Sequence, residues 1–318
     1  MSNRERYIEW VSQQEYVPIF MQPWWMDAVC AGKEWDVLLA EDSEGNILGA
    51  MPYLLRKRAW FRYVLMPQQT PVGGIWVASE VTGDKWKTAE VCRMLTEQLD
   101  RMGLAYYYQQ YLPGSLCIEP LRALGFKPRE RMTYRVDDLS DLDAVIANFS
   151  KNKRRQLQKA LSLHVEPMEV EDFYRFHVQC LGARHRKISY TREFLLVLER
   201  KARRAEQCRI ISICNADHQV YAAAFVVLDK HYMYFLIPTY DPAFGDSGAS
   251  ALLVLECMKM AREKHLRFDF EGSMSRGIAN HYKQFGSTPT TYFAVEKYYK
   301  PLFRIAIWFQ KIREWRYR

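Results

Sequence analysis

Residues 220–264 read VYAAAFVVLDKHYMYFLIPTYDPAFGDSGASALLVLECMKMAREK, and this stretch decides the fold. Val220–Leu228 is an unbroken apolar run, the pattern of a strand covered on both faces. Asp229-Lys230-His231 turns the chain, and Tyr232–Pro238 returns as a second strand. A polar loop with two glycines and two serines follows within Tyr240–Ala251. Ala251–Lys264 then has the apolar spacing of a helix. Two strands, a glycine-bearing loop and a helix make an α/β unit.

Working outward, Arg209–Cys214 reads as a strand before this unit. Arg267–Phe270 (a strand), Ile278–Phe285 (a short helix stopped by Gly286) and Thr291–Glu296 (a strand) come after it. The same order occurs earlier in the chain. Asp36–Glu41 and Ile47–Leu55 form a hairpin about Ser43–Asn46, and Gly73-Gly74 lies in a further extended stretch. Trp86–Met102 is a helix, Ala105–Gln110 a strand, Leu121–Leu124 a short helix ending at Gly125, and Glu130–Val136 a strand. The sequence therefore predicts a duplicated α/β (α+β) architecture. Its expected parts are 1–140, 141–299 and a basic, aromatic C-terminal helix over 300–318, with the joint near Asp137–Asp143.

Charge divides along the same line. The first 150 residues hold 16 Lys+Arg and 20 Asp+Glu, and the remainder holds 29 and 17. A basic second half fits an anionic partner such as CoA phosphates, a nucleotide sugar, tRNA or lipid head groups; a solvated basic surface is the alternative. The seven cysteines are scattered and never spaced C-x-x-C, which fits reduced, buried thiols and a cytoplasmic location. The N-terminus has no apolar leader, and no apolar run reaches the ~20 residues of a spanning helix. The histidines show no ligand pair at helical spacing, so no metal is expected.

Five segments could carry chemistry. In the 240–251 loop, Gly245, Ser247, Gly248, Ala249 and Ser250 could present backbone N–H groups to a pyrophosphate at a helix N-terminus, and Tyr240 could meet substrate. An ordinary connection with a serine cap reads equally well. The string Gly245-Asp246-Ser247-Gly248 matches the nucleophile motif of trypsin-like proteases, but a serine opening a helix in an α/β unit does not fit that use. Asp269 and Glu271 are two apart on a strand and so share a face; Glu271 lies at the strand end, where open sheets place ligand sites, and either could accept a proton from an attacking amine. Pairing with Arg267 or Arg276 is the alternative. Tyr282 precedes a Phe-Gly stop and could act as a general acid or be a core ring. Lys151, Lys153, Arg154 and Arg155 form a basic helix start, for phosphates or for solvent. In the tail, Leu302, Ile305, Phe309 and Ile312 share one helix face, which suits peripheral membrane contact or packing on the domain.

The ordered set (the Ser150–Lys159 helix, the Gly248-Ala249-Ser250 loop, the Asp269–Ser273 strand end and the Tyr282–Gly286 segment) resembles the GNAT acyltransferase superfamily. More narrowly it resembles the tandem, FemAB-like branch. The resemblance implies two tandem GNAT-like halves, each a mixed, mostly antiparallel sheet flanked by helices. It also implies acyl-CoA, acetyl-CoA in the first instance, as co-substrate. Gly245, Ser247, Gly248 and Ala249 would sit at the CoA diphosphate, Tyr282 would protonate the thiolate, and Ser273 and the basic helix would meet substrate. The Arg or Gln usual three residues before the central glycine is Gly245 here, a departure shared by FemAB-like proteins, which use aminoacyl-tRNA. The first half has Leu121 where the second has Tyr282, so it is expected to be non-catalytic. The implied activity is N-acyl transfer to an amine held between the halves, on a small molecule or a cell-wall precursor. An aminoacyl-tRNA-dependent transferase and a non-catalytic binding protein are the alternatives.

Overall fold

The computed structural model describes residues 1–30, 35–272 and 274–304, and the chain forms two compact units. Unit one comprises 1–131 together with the chain from 291 onward, and unit two comprises 132–290.

In unit one, α1 (Asn3–Gln13) and α2 (Pro23–Val29) precede β1 (Trp35–Glu41), β2 (Ile47–Arg58), β3 (Phe61–Leu65) and β4 (Trp76–Val77). The helices α3 (Ser79–Thr82) and α4 (Lys85–Asp100), strand β5 (Tyr106–Tyr111) and helix α5 (Ile118–Ala123) follow. β1, β2 and β3 run antiparallel in order, and β5 joins β3 in parallel. Leu121, the first half's counterpart of Tyr282 in sequence, is wholly buried.

Next in the chain come β6 (Lys127–Val136), α6 (Leu142–Ala147), α7 (Lys151–Lys159) and β7 (His164–Pro167). They are followed by α8 (Val170–Gly182), α9 (Arg192–Arg204), β8 (Cys208–Cys214), β9 (Val220–Leu228) and β10 (Tyr232–Tyr240). The unit closes with α10 (Ala249–Glu263), β11 (Arg267–Asp269) and α11 (Arg276–Lys283). Its strand order is β6-β11-β10-β9-β8-β7, all antiparallel except the parallel β10–β11 pair. β9 is the centre: Ala222, Ala223, Ala224, Phe225, Val226 and Val227 are all sealed from solvent, which is why its sequence does not alternate. The small alanines let helices approach both faces of the strand.

Two expectations are corrected. The division lies at 131/132 and 290/291, not at 140/141, because β12 (Thr288–Tyr298) returns to the first unit and pairs from Phe293 to Tyr298 with β5. Hydrogen bonding across strands, not composition, sets that boundary. Second, Cys92 and Cys117 form a disulfide with Cα atoms 5.0 Å apart, and only the other five cysteines are buried thiols. Their separation of 25 residues hid a contact between α4 and the start of α5. The disulfide removes the inference from cysteine chemistry to a reducing compartment. Of the C-terminal helix expected over 300–318, residues 301–304 are helical and the rest lies outside the described residues. No helix among the described residues is long and apolar enough to cross a membrane.

Candidate functional site

β11 ends at Asp269, with six residues between it and the start of α11 at Arg276. Asp269 is 3% exposed, and its carboxylate is fully committed. Arg135 Nε donates to Oδ2 at 2.7 Å, while Thr133 Oγ1 and the Glu271 N–H (2.8 Å) donate to Oδ1. Thr133 and Arg135 alternate on β6 and so face the same way. Arg135 also donates to the Tyr232 hydroxyl at 3.1 Å, and its guanidinium and that of Arg267 lie 4.3 and 4.1 Å from the Tyr232 ring centre. A buried carboxylate with this many donors ties β6 to the end of β11.

Glu271 is different. Its backbone has φ 68°, a left-handed conformation that costs a non-glycine residue about 1 kcal/mol. The residue is half-buried, but Oε1 is sealed from solvent and has no hydrogen-bond partner. Burial pushes the carboxyl well above the ordinary range; the nearby charge of Asp269 adds to this and Arg135 opposes it. The expectation that Asp269 and Glu271 share a strand face is therefore corrected. The strand stops at Asp269, and the left-handed turn brings Glu271 back over it.

Tyr282 projects from α11 beside this carboxyl. Its ring stacks on Phe270 with centroids 4.7 Å apart and meets Tyr134 at 6.0 Å. Burial first, then the charges of Glu271 and Asp269, raise its hydroxyl, so it stays protonated at neutral pH. Burial and then Tyr282 likewise raise Tyr240 at the end of β10. The structure thus brings Asp269, Glu271, Tyr282 and Tyr240 into one electrostatic neighbourhood. Ser273 lies outside the described residues.

The glycine loop opens α10, and Gly248 is its cap at φ 83°. A Cβ at Gly248 would lie 2.0 Å from the Gln156 carbonyl oxygen of α7 and 3.2 Å from the Ala160 Cβ. This glycine is there because another backbone approaches it. Ser247 Oγ donates to the Phe244 carbonyl at 2.7 Å and accepts from the Ala249 N–H at 3.2 Å, so it caps the helix from one position earlier than a standard cap. Gly245 and Asp246 are exposed, and Ser250 is half-buried on the first turn.

α7 departs from the uniform basic face expected of it. Lys151, Arg154 and Arg155 are exposed, but Lys153 is 2% exposed. Its ammonium donates to Gln156 Oε1 at 2.9 Å, lies 3.3 Å from His281 Nδ1 and sits 4.7 Å from the Phe285 ring centre. Burial brings Lys153 down to about 8 and, with the Lys153 charge, His281 down to about 4. Lys153 and His281 pin α7 to α11, as does the Ser150 N–H to the Gln284 carbonyl at 2.7 Å. Sequence reading missed Thr133, Arg135 and His281. The alternation of Thr133 and Arg135 on β6 was visible, but their target was not. His164, Glu166 and His218 converge through strand pairing, which a search for helical spacing cannot find.

Residues 131–284 match the family of acetyltransferase (GNAT) domains. The second unit is a GNAT domain. Across both units the chain shares its fold with solved two-unit proteins. A structure of FemX superposes with a TM-score of 0.67 at 12% identity, covering 92% of this chain and 96% of that one. A tandem GNAT protein from the clavulanic acid biosynthesis pathway gives 0.55 at 10%, covering 93% and 94%. The C-terminal domain of a lysylphosphatidylglycerol synthetase from Agrobacterium fabrum gives 0.54 at 16%, covering 92% and 91%. No curated protein sequence matches the chain at a significant level. The GNAT domain contains Glu271, Tyr282 and the loop before α10, so the candidate chemistry lies inside the matched family region.

Proposed function

We propose that the GNAT domain catalyses N-acyl transfer from acyl-CoA to an amine on a small molecule or a cell-wall precursor. The observation that carries this reading is the sealed, unpartnered Oε1 of Glu271 beside the protonated phenol of Tyr282. The amine nitrogen attacks the thioester carbonyl and gives a proton to the Glu271 carboxylate. The carbon–sulfur bond then breaks, and the Tyr282 hydroxyl supplies the proton that leaves with the thiol. Asp269 and Arg135 hold the turn that aims Glu271. N–H groups of the Gly245–Ser250 loop and the exposed Lys151, Arg154 and Arg155 would meet the phosphates of the donor.

A second reading has its own support. Gly245 offers no side chain to a diphosphate, Asp246 beside it is acidic, and the Gly248 side of the loop is filled by Gln156. These features favour an aminoacyl-tRNA donor on the same chemistry, and the basic balance of the second half suits RNA.

Purified protein incubated with acetyl-CoA and a panel of amines, with free thiol measured, tests the first reading. Amine-dependent thiol release is expected, reduced about 10²-fold in Tyr282→Phe with an unchanged circular dichroism spectrum. No release from acetyl-CoA, but transfer from aminoacyl-tRNA, would replace it with the second. Equal rates in wild type and Tyr282→Phe would remove Tyr282 from the mechanism.

A further inference from the structure

At the other edge of the second unit's sheet, three side chains of metal-ligating chemistry meet. His164 and Glu166 are two apart on β7 and leave the same face of that strand. His218 lies in the five-residue turn between β8 and β9 at φ 59°. Asn215 Oδ1 fixes this turn by accepting from the Asp217 and Gln219 N–H groups at 3.1 and 2.9 Å. Register brings the pieces together: His164 pairs with Cys214, the last residue of β8, and the turn begins there. His164 Nε2 and His218 Nδ1 each lie 2.7 Å from Glu166 Oε1, and the three atoms all fall within 4.8 Å of one another.

We propose that His164, Glu166 and His218 form a binding site for a divalent transition metal of the zinc class, with the fourth position open to water. Two imidazoles and one carboxylate are a ligand set that zinc takes, with bonds of about 2.0–2.2 Å. Ligand atoms around tetrahedral zinc then stand roughly 3.4 Å apart, so each histidine nitrogen needs to move only about 0.7 Å away from Glu166 Oε1. The imidazoles can make that adjustment, because the side chains of His164 and His218 are 47% and 77% exposed. Glu166 is the fixed point: its backbone carbonyl accepts from Ser212 Oγ at 3.3 Å, and its side chain is 27% exposed. With neutral imidazoles the group carries one negative charge against the cation's two, leaving a favourable field. β7 is four strands from β11, about 19 Å at ~4.8 Å per strand, so this site is separate from Glu271 and Tyr282. Its role is structural. A metal there ties an exposed edge strand to the adjacent hairpin turn and blocks further strand pairing along that edge.

Full-length protein without a polyhistidine tag, competing for zinc with a chromogenic chelator, gives the test. One tightly held equivalent is expected in wild type, weakened at least ~10-fold in His218→Ala and in Glu166→Gln. Zinc should also raise the thermal midpoint of wild type but not of either variant. Failure of wild type to take zinc from the chelator would overturn the proposal. So would equal retention by the doubly substituted His164→Ala/His218→Ala protein, which would place the ion elsewhere, for instance on cysteines. Neither result bears on acyl transfer.

Discussion

Glu271→Gln is expected to lower turnover by about 10²–10⁴-fold while leaving the domain folded. The amide keeps the size of the side chain and cannot take a proton. Two pH signatures separate this from a general disturbance. Because burial holds the carboxyl well above its ordinary value, wild-type turnover should rise as pH rises toward that raised value. Stability should move in the opposite direction. A carboxyl whose folded pKa is raised stabilises the folded state fully below the unfolded value of 4.5, and that contribution is lost as pH climbs through the folded value. Glu271→Gln removes this loss, so the variant should hold its thermal midpoint at alkaline pH better than wild type does. Turnover within threefold of wild type across pH 6–9 would exclude Glu271 as the base. Asp269→Asn is the contrasting variant. It strips charge from the Arg135 pair, leaves a buried guanidinium with a weakened partner, and should cost about 3–5 kcal/mol of stability.

Much of this arrangement was legible in the sequence because it rests on local pattern. The apolar run of Val220–Leu228 gave β9 with its true ends, and the Phe-Gly stop gave α11 to within two residues. α8 and α9 were equally readable. Val170, Phe173, His177 and Cys180 lie on one face of the first, and Phe194, Leu195, Leu198 and Ala202 on one face of the second. Other features depend on which strand lies beside which, and no local pattern encodes that. Lys153 looks like one cation among five, and only the packing of α7 on α11 buries it against Phe285. Asp269 and Glu271 look equivalent, yet Thr133 and Arg135, more than 130 residues away, satisfy the first and leave the second unpartnered. His164 and His218 meet only through the register of β7 on β8.

Gly248 shows how such a distant contact changes the meaning of a motif. Read locally, the glycine invites a phosphate; in the fold, its open side is filled by the Gln156 carbonyl. Gly248→Ala should therefore cost about 3 kcal/mol or more, combining left-handed strain on a residue with a Cβ and the clash with a backbone atom that has no rotamer to escape through. For a unit of this size the thermal midpoint should fall by about 6–12 °C, measured by circular dichroism. Gly245→Ala is the control. Its backbone is ordinary right-handed helix, and the nearest atom to a new Cβ is the Pro242 carbonyl at 3.5 Å, so the change should stay within about 0.5 kcal/mol. Equal midpoints for the two variants would mean that α7 does not press on Gly248. The consequence reaches the site through α7 itself. That helix is clamped at Gly248 on one side and at His281 and Gln284 on the other, and it carries Lys151, Arg154 and Arg155 outward. A residue that lifts α7 from α10 shifts those three cations and the helix bearing Tyr282 together. Gly248→Ala should then lose acyl transfer even at temperatures where it remains folded, although no atom of Gly248 takes part in the chemistry.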